Sequence, residues 1–228
     1  MYKYLFVLIH LACLSDVSFA QEINTVRDLG IWAKAGFNYK FNKNWDAGFS
    51  QSVRTFDNAI RVERLISDLH VDYQINKNFG LRAGGRYSYD RKKNLAFTHD
   101  FRYHLDFKFK TDLTQQLKVE YRLRYQHSYQ NLFTFVPNSK QKYNLRNRAL
   151  ISYALEKHEV YFSAEVFRAF TFNQQPYFNN LRLNLGDELK HGKNKIGYAL
   201  CYQVELNEED PLHFFFVTLE YTLRLNRE

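Results

Sequence analysis

Proline and glycine are scarce in this chain, at 3 and 9 of 228 residues, which excludes collagen-like and low-complexity architectures. Cysteine is scarcer still, with only Cys13 and Cys201, so no disulfide framework or cysteine-based zinc ribbon is available. Beyond the N-terminus no stretch approaches the roughly 18 uncharged apolar residues that a transmembrane helix needs. Gly-x-Ser-x-Gly and His-x-x-x-His are both absent, and the eight histidines are scattered. What is present is bulk: 21 Phe and 17 Tyr, far too much ordering material for a disordered chain. Lys and Arg outnumber Asp and Glu by 32 to 24, a net charge of +8.

The first residues have the anatomy of a secretory signal peptide. Lys3 supplies the positive end, Tyr4 to Leu14 the apolar stretch, and Ser18-Phe19-Ala20 the small residues of a cleavage site. The expected domains are therefore a signal peptide at 1–20 and one domain at 21–228. A lipid anchor on Cys13 is the weaker reading, because His10 stands where an aliphatic residue belongs. Cleavage after Ala20 leaves Cys201 alone, so an exported chain must be held together without disulfides.

From there on the sequence is nearly one period-2 pattern. Leu117, Val119, Tyr121, Leu123 and Tyr125 alternate with Lys118, Glu120, Arg122, Arg124 and Gln126. Successive strand side chains point to opposite faces, whereas a helix would mix the two classes around its circumference. The same alternation runs through Leu29 to Phe41, Leu69 to Ile75, Phe101 to Phe109, Val160 to Val166, Ile196 to Leu206 and Phe215 to Leu225. Short connections (Asn42-Lys43-Asn44, Asn76-Lys77-Asn78, Glu156-Lys157-His158, His191 to Asn194) alternate with longer ones. These lie at Asp57 to Ile60, Arg91 to Thr98, Gln130 to Lys142, Thr171 to Phe178 and Asn207 to Pro211. Pro137, Pro176 and Pro211 all fall in the long set, where a missing donor harms no ladder.

Alternation does not say which face is inside. A soluble periplasmic β-protein would turn the apolar rows inward around an apolar ligand. A transmembrane barrel would turn them outward and line its lumen with polar groups. Strands of about 10–14 residues, aromatics at run ends (Phe41 and Trp45, Tyr87 and Tyr89, Tyr125 and Tyr129) and the alternating connections favour the barrel. The expected fold is all-β: a single antiparallel up-and-down transmembrane barrel with short periplasmic turns and longer extracellular loops. About eleven runs are visible. Bacterial single-chain barrels have even strand numbers, so the expectation is 10–12 strands, with 12 favoured and a short extra strand sought in Glu22 to Asp28.

Trp32, Arg54 with Arg61 and Arg64, and Arg82-Ala83-Gly84-Gly85-Arg86-Tyr87 form a spaced pattern of arginines and aromatics. Tyr121-Arg122-Leu123-Arg124, Arg146-Asn147-Arg148, and Asn180-Leu181-Arg182 followed by Gly186 continue it. In these the chain resembles the bacterial family known as domain of unknown function 2490, regarded as outer-membrane β-barrels. The resemblance implies an outer-membrane location in a Gram-negative bacterium. It supplies no catalytic residues.

The charged face carries both signs: Glu120, Arg122 and Arg124; Arg102, Asp106 and Lys108; Arg82, Arg86 and Asp90; Glu165, Arg182, Glu188 and Glu220. Inside a barrel these would interleave into ion pairs and fill the lumen, giving a structural or binding protein; a narrow channel for small solutes is the alternative. No enzyme is expected. His99-Asp100, His127-Ser128 and His158-Glu159 are adjacent pairs whose side chains diverge on a strand, so no catalytic residue, metal site or cofactor follows from them. Export and the segregation of aromatics from cations argue against nucleic acid. The expected partners are outer-membrane lipid, the barrel-assembly machinery and lipopolysaccharide, the last through Arg91, Lys92, Lys93, Lys140 and Lys142.

Overall fold

The computed structural model describes residues 26–91, 97–130, 141–171 and 174–226. The signal peptide, its cleavage site, Cys13, Pro137, Lys92, Lys93 and Lys140 lie outside the described residues. Eleven strands follow one another: β1 (Val26–Lys40), β2 (Trp45–Phe56), β3 (Arg61–Gln74), β4 (Phe79–Arg91), β5 (Phe97–Asp112), β6 (Leu117–Tyr129), β7 (Gln141–Ala154), β8 (His158–Thr171), β9 (Gln174–His191), β10 (Asn194–Glu205) and β11 (Leu212–Asn226). Each strand is antiparallel to the next, and the sheet closes into a barrel.

The closing seam explains the odd strand count. An even number is needed only if the first and last strands are to run in opposite directions. With eleven, β1 and β11 run the same way and pair in parallel, from Val26 opposite Leu212 to Lys40 opposite Asn226. Parallel pairing is slightly weaker per residue, and here it extends along the whole of both strands. The described residues thus form 11 strands, within the expected range of 10–12 and one short of the 12 favoured. Residues 26–28, part of the stretch in which an extra strand was sought, are the start of β1 itself.

Polar side chains set the turns at one rim. The Asn42 carboxamide accepts from the backbone N–H of Asn44 and Trp45 at 2.9 and 3.0 Å, and Asn76 does the same for Asn78 and Phe79. Thr114 uses its hydroxyl for Gln116 and Leu117. The second asparagine of each Asn-Lys-Asn then donates to the following hairpin, Asn44 to the Gln74 carbonyl and Asn78 to that of Lys110. Both Asn-Lys-Asn triplets are therefore turn and tether in one.

Two connections at the other rim differ from expectation. Asp57 to Ile60 is a tight turn in which Asp57, Asn58 and Ala59 all have φ between 54° and 65°. The Asp28 carboxylate holds it by accepting from the N–H groups of Asp57 and Asn58. Thr171 to Phe178 is mostly strand, so Pro176 lies within β9 and not in a loop. It is tolerated because the β8 register shifts there and β10 pairs with β9 only from Asn180 onward, leaving Pro176 no ladder partner to fail.

The apolar rows face outward. Leu105 and Leu200 are 55% and 65% exposed, whereas Asp106, next to Leu105, is 2% exposed. This overturns the inward apolar core that a soluble β-protein would need. Aromatic groups gather at both rims of the outer surface. Trp45 and Tyr73, Phe79 and Phe107, and Tyr39 and Phe41 pack at the turn rim. Tyr89 with Phe97, Tyr103 with His127, and Tyr202 with His213 pack at the other.

One wall of the interior is apolar. Phe214, Phe215 and Phe216 are consecutive, so β11 carries rings on both faces; Phe216 stacks on Trp32 with centroids 3.8 Å apart, beside Ala199 and Cys201. Gly186 lets Tyr161 lie flat against β9, since a Cβ there would sit 2.6 Å from the Tyr161 ring and 2.7 Å from the Ala199 methyl. Gly186→Ala should therefore lower the urea midpoint of the folded barrel, at a cost of about 1–3 kcal/mol from overpacking.

Candidate functional site

The lumen is where charge has been collected. Even-numbered residues of β3 to β7 point inward, and β8, entered after a three-residue turn, presents odd-numbered Tyr161, Ser163 and Glu165. An axial cavity of about 1290 Å³ remains between these side chains, lined by residues from near both rims. The side chains narrow the lumen without filling it.

Three carboxylates organise six of the cations. Glu165 is 2% exposed and accepts from Arg122 at 2.5 Å and Arg146 at 2.7 Å, with Arg182 at 3.9 Å. Asp106 takes a two-pronged bond from Arg124, at 2.6 and 2.7 Å. Asp72 holds Arg82 at 2.6 Å and also Lys108. Arg64 with Asp90 and Arg86 with Asp68 complete the central set, and Lys34–Glu220 and Lys195–Glu188 add more exposed pairs. Charge-assisted, forked bonds of this kind fix side-chain geometry as well as contributing energy.

The need for those carboxylates follows from the register. Cross-strand neighbours on the inner face include Arg86 opposite Arg102, Arg122 opposite Arg148, Arg124 opposite Arg146 and Arg54 opposite Arg64. Directly opposed like charges destabilise a sheet. The acids meet these cations from their other neighbouring strands: Asp90 stands opposite Arg64, Asp68 opposite Arg86 and Asp106 opposite Arg124, while Glu165 reaches Arg146 on the diagonal and Arg122 one strand beyond. The sequence shows that both signs share a face; it does not show that Glu165 on β8 reaches β6.

The candidate catalytic pairs come apart as alternation requires. His158 faces outward, bonded to Asp187 at 2.8 Å, while Glu159 faces inward and accepts from Ser152 and Lys190. His127 stacks on Tyr143 and bonds the Tyr103 hydroxyl at 2.9 Å, while inward-facing Ser128 accepts from Arg102. His99 bonds the Tyr87 hydroxyl on the outer face at 2.5 Å. The Asp187 carboxylate, which also accepts from Tyr198 at 2.7 Å, gives the outer turn rim a Tyr–Asp–His group that strand alternation alone does not reveal. Arg91, at the loop rim, lies over Phe97 with its guanidinium carbon 5.7 Å from the ring centre.

A family model described as "Protein of unknown function (DUF2490)" matches residues 29–211, most of the barrel and nearly all of its charged interior. The chain belongs to this family. The match takes in the Trp32, Arg54, Arg86, Arg122, Arg146 and Arg182 positions that carried the sequence resemblance. Among solved structures the chain is similar to one described as "Bacterial polysaccharide outer membrane secretin", with a TM-score of 0.53 at 15% identity over 79% of this chain. It spans 64% of that protein, under two thirds of its length, and the likeness is one of fold. No curated protein matches the chain.

Proposed function

We propose that this member of the family is a small outer-membrane β-barrel of a Gram-negative bacterium, exported with cleavage after Ala20, whose charged lumen is a structural or binding compartment and not an open pore. The observation that carries this reading is the continuous outward apolar belt between two aromatic rims, around an interior of ion pairs. Soluble monomers rarely expose apolar patches beyond a few hundred Å², whereas hydrocarbon covers such a belt at no cost and the interfaces favour the aromatics. The outer-membrane description of the secretin whose fold it shares supports the same placement. Its partners on this reading are outer-membrane lipid, the assembly machinery that inserts barrels, and lipopolysaccharide at the long-loop rim. No enzymatic chemistry is part of it.

Fractionation with an unboiled gel tests the placement. The protein should appear in the outer-membrane fraction and change mobility on boiling; recovery in osmotic-shock fluid would contradict it. A narrow channel for small solutes is a second reading, favoured by the axial cavity. In planar bilayers the first reading expects little steady conductance at neutral pH, and reproducible large channels would establish the second.

A further inference from the structure

Arg27 and Arg91 at the loop rim, and Arg54 and Arg102 further along the cavity wall, have no ion pair among the described residues. Among the described residues no carboxylate lies within ion-pair distance of Arg54 or Arg102. Arg54 lies face-on over Trp32, with its guanidinium carbon 3.7 Å from the ring centre. Stacking occupies the plane of the guanidinium and leaves its edge N–H donors free. Among the described residues Arg102 donates its Nε alone, to the Ser128 hydroxyl at 2.9 Å. Both line the axial cavity on its long-loop side, and Arg54 is repelled by Arg64, Arg86, Arg102 and Arg182. Arg64 and Arg86 have their own acids, Asp90 and Asp68, which leaves Arg54 and Arg102 as the unpaired cations beside them.

A fold that needs only neutrality would place an acid here, as it does with Glu165 lower in the lumen. Instead the sheet sets Arg54 opposite Arg64 and Arg86 opposite Arg102, and leaves space in front of them. We propose that this half of the lumen is an oxyanion site, in which Arg54, oriented by Trp32, and Arg102, steadied by Ser128, hold a phosphate or carboxylate group of a small solute. The inference deepens the reading of the lumen as a binding compartment and rests on it. It does not depend on which membrane holds the barrel.

The test uses the full mature barrel in detergent, with inorganic phosphate and citrate as probes and sodium chloride at matched ionic strength as reference. A Trp45→Phe background leaves Trp32 as the one tryptophan, so its emission reports the Arg54 contact directly. Phosphate or citrate should shift Trp32 emission saturably and raise the unfolding midpoint, and chloride should do neither; the more effective probe assigns phosphate or carboxylate as the preferred group. Arg54→Gln with Arg102→Gln should weaken the response at least about tenfold, the scale of losing a charge-assisted hydrogen bond. The same change should raise the midpoint without anion, by relieving the opposed charges. Arg54→Lys with Arg102→Lys keeps the charge but loses the fork, so it should also weaken the response, and it carries the test if the glutamine pair does not fold. A chloride response equal to that of phosphate and citrate, or an undiminished response in the variants, would overturn the site. A heat-modifiable outer-membrane barrel lacking the saturable response contradicts the site alone; a saturable response in a protein found only in osmotic-shock fluid contradicts the membrane placement alone.

Discussion

Glu165→Gln is expected to destabilise the barrel more than any other single lumen substitution. Glu165 is buried and serves Arg122, Arg146 and Arg182 from three different strands. Removing its charge leaves cations that the register already sets against one another, with Arg122 opposite Arg148 and Arg124 opposite Arg146. Breaking a buried pair by deleting one partner costs about 3–5 kcal/mol, because the remaining charge is stranded. Glu165 borders an open cavity, which places the expectation at the lower end, about 3 kcal/mol, read as a lowered urea midpoint by unboiled gel. Glu220→Gln is the internal comparison. Its pair with Lys34 is far more exposed, 37% and 45% for the two side chains, and its loss should cost under about 1 kcal/mol. Equal effects of the two substitutions would show that Glu165 does not organise the interior.

Leu123→Arg carries the second large effect. Leu123 lies at the middle of β6, between Arg122 and Arg124, which both point into the lumen. On the reading of the outer surface as lipid-facing, an arginine there meets hydrocarbon near the bilayer midplane, at about 2–4 kcal/mol. The expected result is poor insertion into lipid vesicles. Arg122→Leu should be milder, since Glu165 retains Arg146 as a partner. The neighbouring positions thus differ in how strongly insertion responds to a change of charge.

Much of this was legible in the sequence wherever a single strand decides the matter. The alternation of Leu117 to Gln126 identifies β6 and divides its faces, and the Asn-Lys-Asn triplets announce two of the turns. What was not legible depends on relations between strands. The partner of Arg122 is fixed by the path of β8, two strands away, so Glu165 is visible only as one acid among several. The closing pair is another such relation: β1 and β11 read as ordinary strands, and only their shared direction makes eleven a permissible number. Pro176 misled because proline marks a connection in isolation, while its cost depends on whether a neighbouring strand needs its missing donor. The apolar wall did leave a local signal. Phe214-Phe215-Phe216 breaks the alternation, and three consecutive rings on a strand require an aromatic surface on both faces.

Site-specific quenching distinguishes an apolar face that meets lipid from a charged face that meets the lumen. Single cysteines at positions 122 and 123, in a background with Cys201 replaced, carry a fluorophore in protein reconstituted into lipid vesicles. A quencher confined to the acyl chains should reach the label at 123 and spare the one at 122. Stronger quenching at 122 would turn the charged face to the lipid, and none at either position would take β6 out of the bilayer.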